Sequence, residues 1–377
     1  MKKAPEISII LPCRNEEQAL PFCLSKIKEI IKKYRLDAEI IVSDSSIDES
    51  PKIAKREKVR LIKHDKEGYG IAYLEAFEKA RGRYIFMTDA DGTYDFEKIP
   101  YFLKYLKEGY DLVMGNRFAG HIEKGAMPLT HRYIGTPLLS SMLRIFFGKN
   151  IKDSQSGMRA ISKEALKKLD LKTTGMEFAS EMIIKSIKNN LKIKEIPIDY
   201  YKRKGKSKLR PFSDAWKHTR FMLLYSPLFL FFIPGLILFL TGFLFLLWFY
   251  LGAPEVWGIK LYFHPMFLFS VLTIIGYQLI IFTIFAKSYA INHLGEKSYI
   301  MDNLYKYITI EKAGITGIFI SFIGAIIYVS ILINWIKSGF GSLNEIKNSI
   351  IALTFIILGI QTIFSSFMMS ILSIKGN

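Results

Sequence analysis

Four long apolar blocks occupy the second half of the 377-residue sequence. They cover residues 228–251, 265–286, 314–336 and 350–374, and each is long enough to cross a bilayer as a helix, which takes roughly 20 residues. We therefore predict an all-α transmembrane domain of four helices over residues 227–377. The preceding part mixes charged and apolar residues as a water-soluble domain does.

Positive charge is unevenly distributed along the chain. The formal net charge is +18 and lies mostly in the first half, which predicts an anionic partner: a membrane surface, a phosphate-bearing substrate or nucleic acid. Lysines and arginines also crowd residues 202–220 and recur between the second and third apolar blocks, at Lys287, Lys297, Lys306 and Lys312. The positive-inside rule then predicts a multi-pass protein of the cell membrane, with the first domain and both termini in the cytoplasm. The N-terminal residues do not resemble a signal peptide.

Short apolar runs alternate with amphipathic stretches in the first half, which is typical of a parallel sheet in an α/β, Rossmann-like domain. We predict strands at residues 7–11, 39–43, 59–62, 84–88 and 112–114, and helices at residues 17–34, 50–58 and 70–80. Residues 1–211 should form this domain. Residues 212–226 are predicted to be an amphipathic linker helix in the membrane interface, with an ordinary packing helix as the alternative.

The triplet Asp89-Ala90-Asp91 directly follows the predicted fourth strand. In such sheets ligands bind at the carboxyl ends of the strands, and two carboxylates there can share a divalent cation and a ribose. A nucleoside diphosphate leaving group needs that cation to neutralise the charge that develops on it. Taken alone, a D-x-D triplet is more often a solvated turn, but its position directly after an apolar strand favours the binding site.

Ligand-type residues follow three other predicted strands as well. Pro12, Arg14 and Glu16 follow the first strand, and Asp44 ends the second. Gly68 and Gly70 follow the third, where the lack of side chains would let the backbone approach a ligand, although an ordinary turn would also explain them. Four consecutive strand ends of this kind predict one binding crevice.

The sequence closely resembles the family 2 glycosyltransferases, in particular the polyprenyl-phosphate branch of dolichyl-phosphate mannose and glucose synthases. The resemblance covers residues 7–226 and rests on a set of motifs: SIILPCRNEE, IVSDSSIDES, GYGIAY, FMTDADGTYDF, MGNRF, DSQSGMRAISKEAL, GMEFASEM and YYKRKGKSKLRPF. It implies a GT-A fold and the transfer of one hexose from a UDP- or GDP-linked sugar to a polyprenyl or dolichyl phosphate. The expected partners are that donor, that acceptor and the bilayer, with no nucleic acid; a homo-oligomer stays open.

The resemblance also implies roles for individual residues. Pro12, Arg14, Glu16, Gly68, Gly70 and the triplet Asp89-Ala90-Asp91 would bind the nucleotide-sugar, with Asp44 on the base and both Asp89 and Asp91 on a Mg²⁺ or Mn²⁺ ion. The acceptor phosphate would meet Arg117, Arg132, Arg203, Ser207 and Lys208. The chain departs from the family at Ser43, where a first aspartate is usual, and at Thr93, where a glutamine often stands.

Asp153 is the residue that the resemblance offers as a catalytic base, beside Asp91, Arg117 and Arg203 as the other catalytic residues. A lipid monophosphate has its second pKa near ~6, so at neutral pH it is already a nucleophile and needs no strong base. Asp153 could therefore equally orient Arg159 or the acceptor. A single in-line displacement would invert the sugar carbon.

Alternatives remain for the basic run at residues 202–208 and for the protein as a whole. The run fits a phosphate-binding loop in which Arg203 makes a bidentate contact, but it also fits a topology signal alone. A processive polysaccharide synthase would carry a Q-x-x-R-W motif, which is missing here. A non-catalytic membrane protein with a degenerate nucleotide-binding domain would have lost its metal carboxylates, but Asp89 and Asp91 are present.

Overall fold

A computed structural model describes residues 4–205, 211–252, 254–256, 258–294 and 309–373. The chain divides into two compact units, residues 1–225 and residues 226–377. Ser207 and Lys208, two of the predicted acceptor contacts, lie outside the described residues, as do Lys297 and Lys306.

The first unit alternates strands and helices. Its strands are β1 (Ile7–Cys13), β2 (Ala38–Asp44), β3 (Arg60–Lys63), β4 (Tyr84–Met87), β5 (Leu112–Asn116), β6 (Arg159–Ser162) and β7 (Ile193–Pro197). Its helices are α1 (Leu20–Lys33), α2 (Ser50–Arg56), α3 (Tyr69–Lys79), α4 (Ile99–Lys107), α5 (Thr136–Phe147), α6 (Lys163–Leu169), α7 (Phe178–Lys188) and α8 (Pro211–Leu224). All five predicted strands and all three predicted helices are present, with bounds that differ by a few residues.

The seven strands form one sheet in the order β3-β2-β1-β4-β6-β5-β7. β1 pairs in parallel with β2 and with β4, so that Cys13 lies opposite Asp44 and Ile10 lies opposite Met87. This register brings the carboxyl ends of three strands to the same edge. β6, which the sequence pattern did not predict, runs antiparallel between β4 and β5. The sheet is therefore mixed, which corrects the expectation of a purely parallel sheet within the predicted α/β, Rossmann-like GT-A fold.

Apolar side chains cover both faces of this sheet. Successive residues of β1 point to opposite sides, so Ile9 packs against α1 and α4 whereas Ile10 packs against α3 and α7. Both side chains are fully buried. Strands buried on both faces read as continuous apolar runs, which is why the sequence pattern identified them.

Helix α8 covers the predicted linker segment. Its residues His218 and Met222 are buried, and the His218 Nδ1 and Ser180 Oγ atoms are 2.8 Å apart. Burial lowers the pKa of His218 to about 4, so this side chain is neutral at pH 7. Trp216 and Leu224 remain exposed. Because one side of α8 packs on α5 and α7, it belongs to the first unit; its position in a membrane interface stays a prediction.

The second unit contains four long helices: α9 (Ile233–Leu251), α10 (His264–Leu294), α11 (Ile310–Lys337) and α12 (Ile346–Ser373). Each includes a segment long and apolar enough to cross a membrane, over Leu228–Leu251, His264–Asn292, Glu311–Lys337 and Ile346–Leu372. A hairpin of two short strands, β8 (Glu255–Val256) and β9 (Ile259–Lys260), lies between α9 and α10. The prediction of four apolar helices is confirmed.

Close backbone packing joins these helices in pairs. A Cβ atom on Gly276 of α10 would lie 2.2 Å from the backbone nitrogen of Phe239 in α9, so only glycine permits this approach. Hydroxyl pairs add interhelical hydrogen bonds, such as the 2.7 Å contact between Ser270 of α10 and Thr354 of α12. Small residues and hydroxyl pairs are the usual means by which helices associate in lipid.

Candidate active site

The triplet Asp89-Ala90-Asp91 lies just beyond the end of β4. Ala90 is buried in the apolar core under the sheet, while Asp91 is held by Thr93. The Thr93 hydroxyl donates to Asp91 Oδ1 at 2.7 Å, and the Thr93 backbone N–H donates to the same atom at 3.1 Å. Thr93 thus orients Asp91 from the position where the family often has a glutamine.

Asp89 is a buried carboxylate whose negative charge is unfavourable where it lies. Burial, followed by the nearby charge of Asp91, raises the pKa of Asp89 to about 7, while Arg203, Tyr69 and Arg117 act in the opposite direction. Asp89 Oδ1 is buried without a hydrogen-bond partner among the described residues. A buried acceptor of this kind is costly unless a ligand or ion satisfies it.

Gly157 packs directly against the Asp89 carboxylate. A Cβ atom at position 157 would lie 2.7 Å from Asp89 Oδ2 and 3.0 Å from the Tyr69 hydroxyl, closer than van der Waals contact allows. The Gly157 backbone N–H donates to the Tyr94 hydroxyl at 2.6 Å, which fixes the segment in place. A side chain at Gly157 would therefore have to displace the Asp89 carboxylate.

We predict that Gly157→Ala weakens Mn²⁺ binding about tenfold, the size of effect seen when the support of a metal ligand is disturbed. Titration of the purified protein with Mn²⁺, followed by electron paramagnetic resonance, measures this. Gly135→Ala is the matched control, because a Cβ atom there would meet nothing closer than 3.6 Å. Equal Mn²⁺ affinity in the two variants would show that Gly157 does not shape the site.

Arg203 reaches into the same site. Its Nη2 atom donates to Glu16 Oε1 at 2.7 Å, and its Nη1 atom lies 3.5 Å from Asp91 Oδ2. Arg203 Nε is buried without a partner among the described residues. The structure thus brings together Glu16, Asp91 and Arg203, three residues of the predicted site.

Arg203 belongs to a segment, residues 201–205, that we call the strap. The Tyr201 backbone N–H donates to the Thr93 carbonyl at 2.8 Å, and the Lys204 backbone N–H donates to the Asp91 carbonyl at 2.9 Å. The Lys204 ammonium also lies 3.5 Å from the centre of the Phe22 ring. These contacts hold the strap across the end of β4.

Arg117 and Asp153 form a buried ion pair beside this cluster. Arg117 Nε donates to Asp153 Oδ2 at 2.7 Å, and Arg117 Nη2 donates to Oδ1 at 2.8 Å. Asp153 therefore orients Arg117 and not Arg159, whose guanidinium donates to the backbone carbonyls of Ser154, Ser156 and Ala179.

Other predicted residues lie further from this cluster. Asp44 is fully buried, and its Oδ1 accepts from the Ser46 hydroxyl at 2.6 Å. Its partner Ser46 lines a cleft of about 700 Å³, together with Arg14, Asn15, Ser45, Ile47, Lys63, His64, Asp65 and Glu67. Pro12 lies within β1 opposite Ser43. The Arg132 guanidinium lies over the ring of its neighbour Tyr133. Nucleotide or acceptor contact by these residues stays a prediction.

Gly68 and Gly70 are explained by chain packing. A Cβ atom on Gly68 would lie 2.3 Å from the Thr174 carbonyl oxygen, and one on Gly70 would lie 2.3 Å from that of Thr173. The Gly70 backbone N–H donates to the Gly175 carbonyl, so it is not available to a phosphate in this conformation. The structure thus favours the packing explanation over a phosphate-binding loop.

Four residues of the site escaped the sequence reasoning: Tyr69, Tyr94, Gly157 and Tyr200. All lie in or beside motifs that carry the family resemblance, but nothing in their spacing distinguishes a tyrosine that faces a carboxylate from one that packs in a core. Gly157 alone offered a signal, because it directly follows the polar residues 153–156.

The mixed sheet, the paired carboxylates after β4 and the four apolar helices together define a membrane-associated transferase with a GT-A domain. Residues 8–170 match the family model described as glycosyl transferase family 2, and residues 284–373 match the glycosyltransferase family 2 C-terminal transmembrane region. The chain belongs to glycosyltransferase family 2, and it is a glycosyltransferase of the membrane.

Similar proteins are found among archaea. The low-salt glycan biosynthesis hexosyltransferase Agl6 of Haloferax volcanii is 37% identical over 97% of this chain and 89% of that protein. A dolichyl-phosphate hexose transferase of Haloferax volcanii is 33% identical over 56% of this chain and 89% of its own length. A dolichol-phosphate mannosyltransferase of Pyrococcus furiosus is 26% identical over 54% of this chain and 59% of its own length.

Solved structures are more distant. Glucosyl-3-phosphoglycerate synthase from Mycobacterium tuberculosis, determined in complex with phosphoglyceric acid, is 21% identical with a TM-score of 0.48. The match covers 59% of this chain and 80% of that one.

Proposed function

We propose that this protein transfers one hexose, with inversion, from a UDP- or GDP-linked sugar to the phosphate of a polyprenol or dolichol. One observation carries the proposal: two carboxylates and two guanidinium groups lie close together in a chain with four apolar helices. The carboxylates belong to Asp89 and Asp91, and the guanidinium groups belong to Arg117 and Arg203. The relatives named as acting on dolichyl phosphate support the acceptor class.

A divalent cation, Mg²⁺ or Mn²⁺, fits the carboxylate pair. Asp89 Oδ1 lacks a partner among the described residues, and the proximity of Asp91 to Asp89 makes a second negative charge there unfavourable. The described part of the chain contains no group of three or more histidine, cysteine, aspartate or glutamate side chains that could hold a metal. Asp89 and Asp91 would thus share the ion with the donor. When bound, the ion would neutralise charge on the leaving diphosphate.

The guanidinium groups complete the electrostatic environment. Arg117 and Arg203 each lower the pKa of Asp89 by their positive charge, so both act on the point where the diphosphate would lie. Arginine suits this role because its planar fork can bind two phosphate oxygens at once. The donor would be held between these arginines and the carboxylates.

An exposed apolar surface on the first unit supports a lipid acceptor. Leu129, Tyr133, Ile134, Leu138 and Ile145, on α5 and the turn before it, are each between 57% and 72% exposed. Exposed apolar side chains in this number on one segment mark an interaction surface, and Arg132 in the same segment suits anionic headgroups. We place this surface against the cytoplasmic face of the bilayer, in line with the lysine and arginine distribution.

Mass spectrometry of the lipid product tests the proposal. The full chain, in membranes or detergent, is incubated with a polyprenyl phosphate and a panel of UDP- and GDP-hexoses, with Mg²⁺ or Mn²⁺. We expect one donor to give a hexosyl lipid phosphate, whose anomeric configuration nuclear magnetic resonance would show to be inverted. A sugar-free lipid with every donor would overturn the acceptor class.

We predict that each lipid carries a single sugar. The Q-x-x-R-W motif with which processive synthases bind the growing polymer is missing from the sequence. The four candidate membrane spans are also strongly apolar, with mean hydropathy between 2.1 and 2.6. Labelled donor and lipid phosphate should give one glycolipid on thin-layer chromatography. A ladder of longer products would assign the protein to the processive synthases instead.

A further inference from the structure

Both oxygens of the Asp153 carboxylate are engaged by Arg117. Asp153 Oδ2 accepts from the Arg117 backbone N–H at 3.0 Å and from Nε at 2.7 Å, while Oδ1 accepts from Nη2 at 2.8 Å. The Asp153 side chain is fully buried. Its own backbone N–H donates to Glu195 at 2.9 Å, which fixes the loop before β6.

Tyr200 also contacts the Arg117 guanidinium. The centre of the Tyr200 ring lies 5.2 Å from Arg117 Cζ, within range of a cation–π contact. Tyr94 packs edge-on against Tyr200 with ring centres 5.4 Å apart. Arg117 begins a short turn that Asn116 caps, because Asn116 Oδ1 accepts from the backbone N–H groups of Phe118 and Ala119.

These contacts leave one edge of the guanidinium available. They use Nε, Nη2 and one face of the Arg117 guanidinium, and within the described residues Nη1 makes no hydrogen bond. The positive charge of Arg117 acts on the Asp89 carboxylate, so the Arg117 guanidinium lies near the carboxylate pair.

We propose that Asp153 and Tyr200 are positioning residues that present the Nη1 edge of Arg117 to the donor diphosphate, and that Asp153 does not serve as a base. This inference rests on the proposed function and gives Asp153 a role in the proposed reaction. A base would have to release Arg117 in order to accept a proton, which would leave a buried guanidinium without its counter-charge.

The reaction balances without a proton transfer to Asp153. A dianionic acceptor phosphate uses an oxygen lone pair to form a bond to the anomeric carbon of the sugar. The bond from that carbon to the diphosphate oxygen breaks, and its electron pair leaves with the nucleoside diphosphate. Arg117 meets the charge that accumulates on this leaving group.

Binding and kinetics of three variants test the inference: Asp153→Asn, Arg117→Met and the double variant. The full chain in detergent is titrated with UDP and GDP in the presence of Mn²⁺, and its transfer rate is measured from about pH 5.5 to 8.5. We expect each single variant to weaken nucleotide binding about tenfold. The double variant should be no worse than Arg117→Met, because both changes act through one group. The pH profile of Asp153→Asn should keep its wild-type shape at a lower rate.

The opposite pattern would overturn the inference. If Asp153→Asn binds nucleotide within about twofold of wild type but loses turnover and the acidic limb of its pH profile, then Asp153 acts as a base. The nucleotide titration does not require an acceptor. A wild-type protein that binds nucleotide but makes no glycolipid would therefore contradict the proposed function. The effect of the variants on nucleotide binding could still be interpreted in that case.

Tyr200 provides a second route if Asp153→Asn fails to fold. Tyr200→Leu removes the aromatic face under Arg117 and should weaken nucleotide binding by about threefold to tenfold, while Tyr200→Phe, the matched control, should retain it. Wild-type affinity in both Tyr200 variants would refute the positioning of Arg117 by this ring.

Discussion

Asp91→Asn should lower the rate of sugar transfer roughly 100-fold or more while leaving the fold intact. Asparagine keeps an oxygen that can accept the two hydrogen bonds from Thr93, so the turn after β4 should persist. It removes the negative charge that would help to hold a divalent cation. Losing one electrostatic contact to a developing charge typically costs two to three orders of magnitude in turnover. Initial rates of glycolipid formation at saturating Mn²⁺ measure the effect.

Asp95→Asn is the matched control, since Asp95 lies four residues further on and caps a short turn by accepting from the Glu97 backbone N–H. Its transfer rate should stay within about twofold of wild type. The melting temperatures of both variants should show that neither change unfolds the first unit. Wild-type rates for Asp91→Asn, or full activity of the natural protein in excess chelator, would remove the metal from the proposed reaction.

Much of the fold could be predicted from apolar patterning, but one strand direction could not. β1, β2 and β4 consist of buried residues on both faces, so each stands out as an apolar run. β6 has only four residues, and β7 has two charged residues at its centre, in the sequence Ile-Lys-Glu-Ile-Pro. The antiparallel insertion of β6 between β4 and β5 depends on how a long connection returns to the sheet, and no local periodicity encodes that.

The site could be predicted where strand ends supply its residues, and not where distant segments meet. Asp91 and Glu16 follow strands that the register places side by side, and Arg203 joins them as expected. Arg117 and Asp153 are 36 residues apart, and each alone suggested a ligand contact. Only the folded chain shows that they bind each other.

Arg203→Ala should lower the transfer rate by about one to two orders of magnitude. Charge-assisted hydrogen bonds of the kind an arginine makes to phosphate contribute roughly 1.5 to 3 kcal/mol, and each 1.4 kcal/mol corresponds to about a tenfold change in rate. The structure makes Lys202→Ala a better control than Lys204→Ala, because Lys204 packs on Phe22 whereas the Lys202 ammonium lies 3.9 Å from Glu123, too far for a hydrogen bond. Equal, small losses of transfer rate for Arg203→Ala and Lys202→Ala would indicate that the strap acts only as a topology signal, since both variants remove one positive charge.

The metal affinity of Arg203→Ala should change in the opposite direction to its transfer rate. In the structure the Arg203 guanidinium lies 3.5 Å from Asp91 Oδ2 and bonds to Glu16, so it neutralises carboxylates that a divalent cation would also seek. Without nucleotide, a protein lacking this guanidinium should bind Mn²⁺ more tightly than wild type, by about threefold to tenfold, because a competing cation is gone. Asp91→Asn should instead weaken Mn²⁺ binding. Tighter Mn²⁺ binding together with slower transfer in Arg203→Ala would mean that the arginine serves the phosphates of the substrates; weaker Mn²⁺ binding would mean that it only supports the carboxylates.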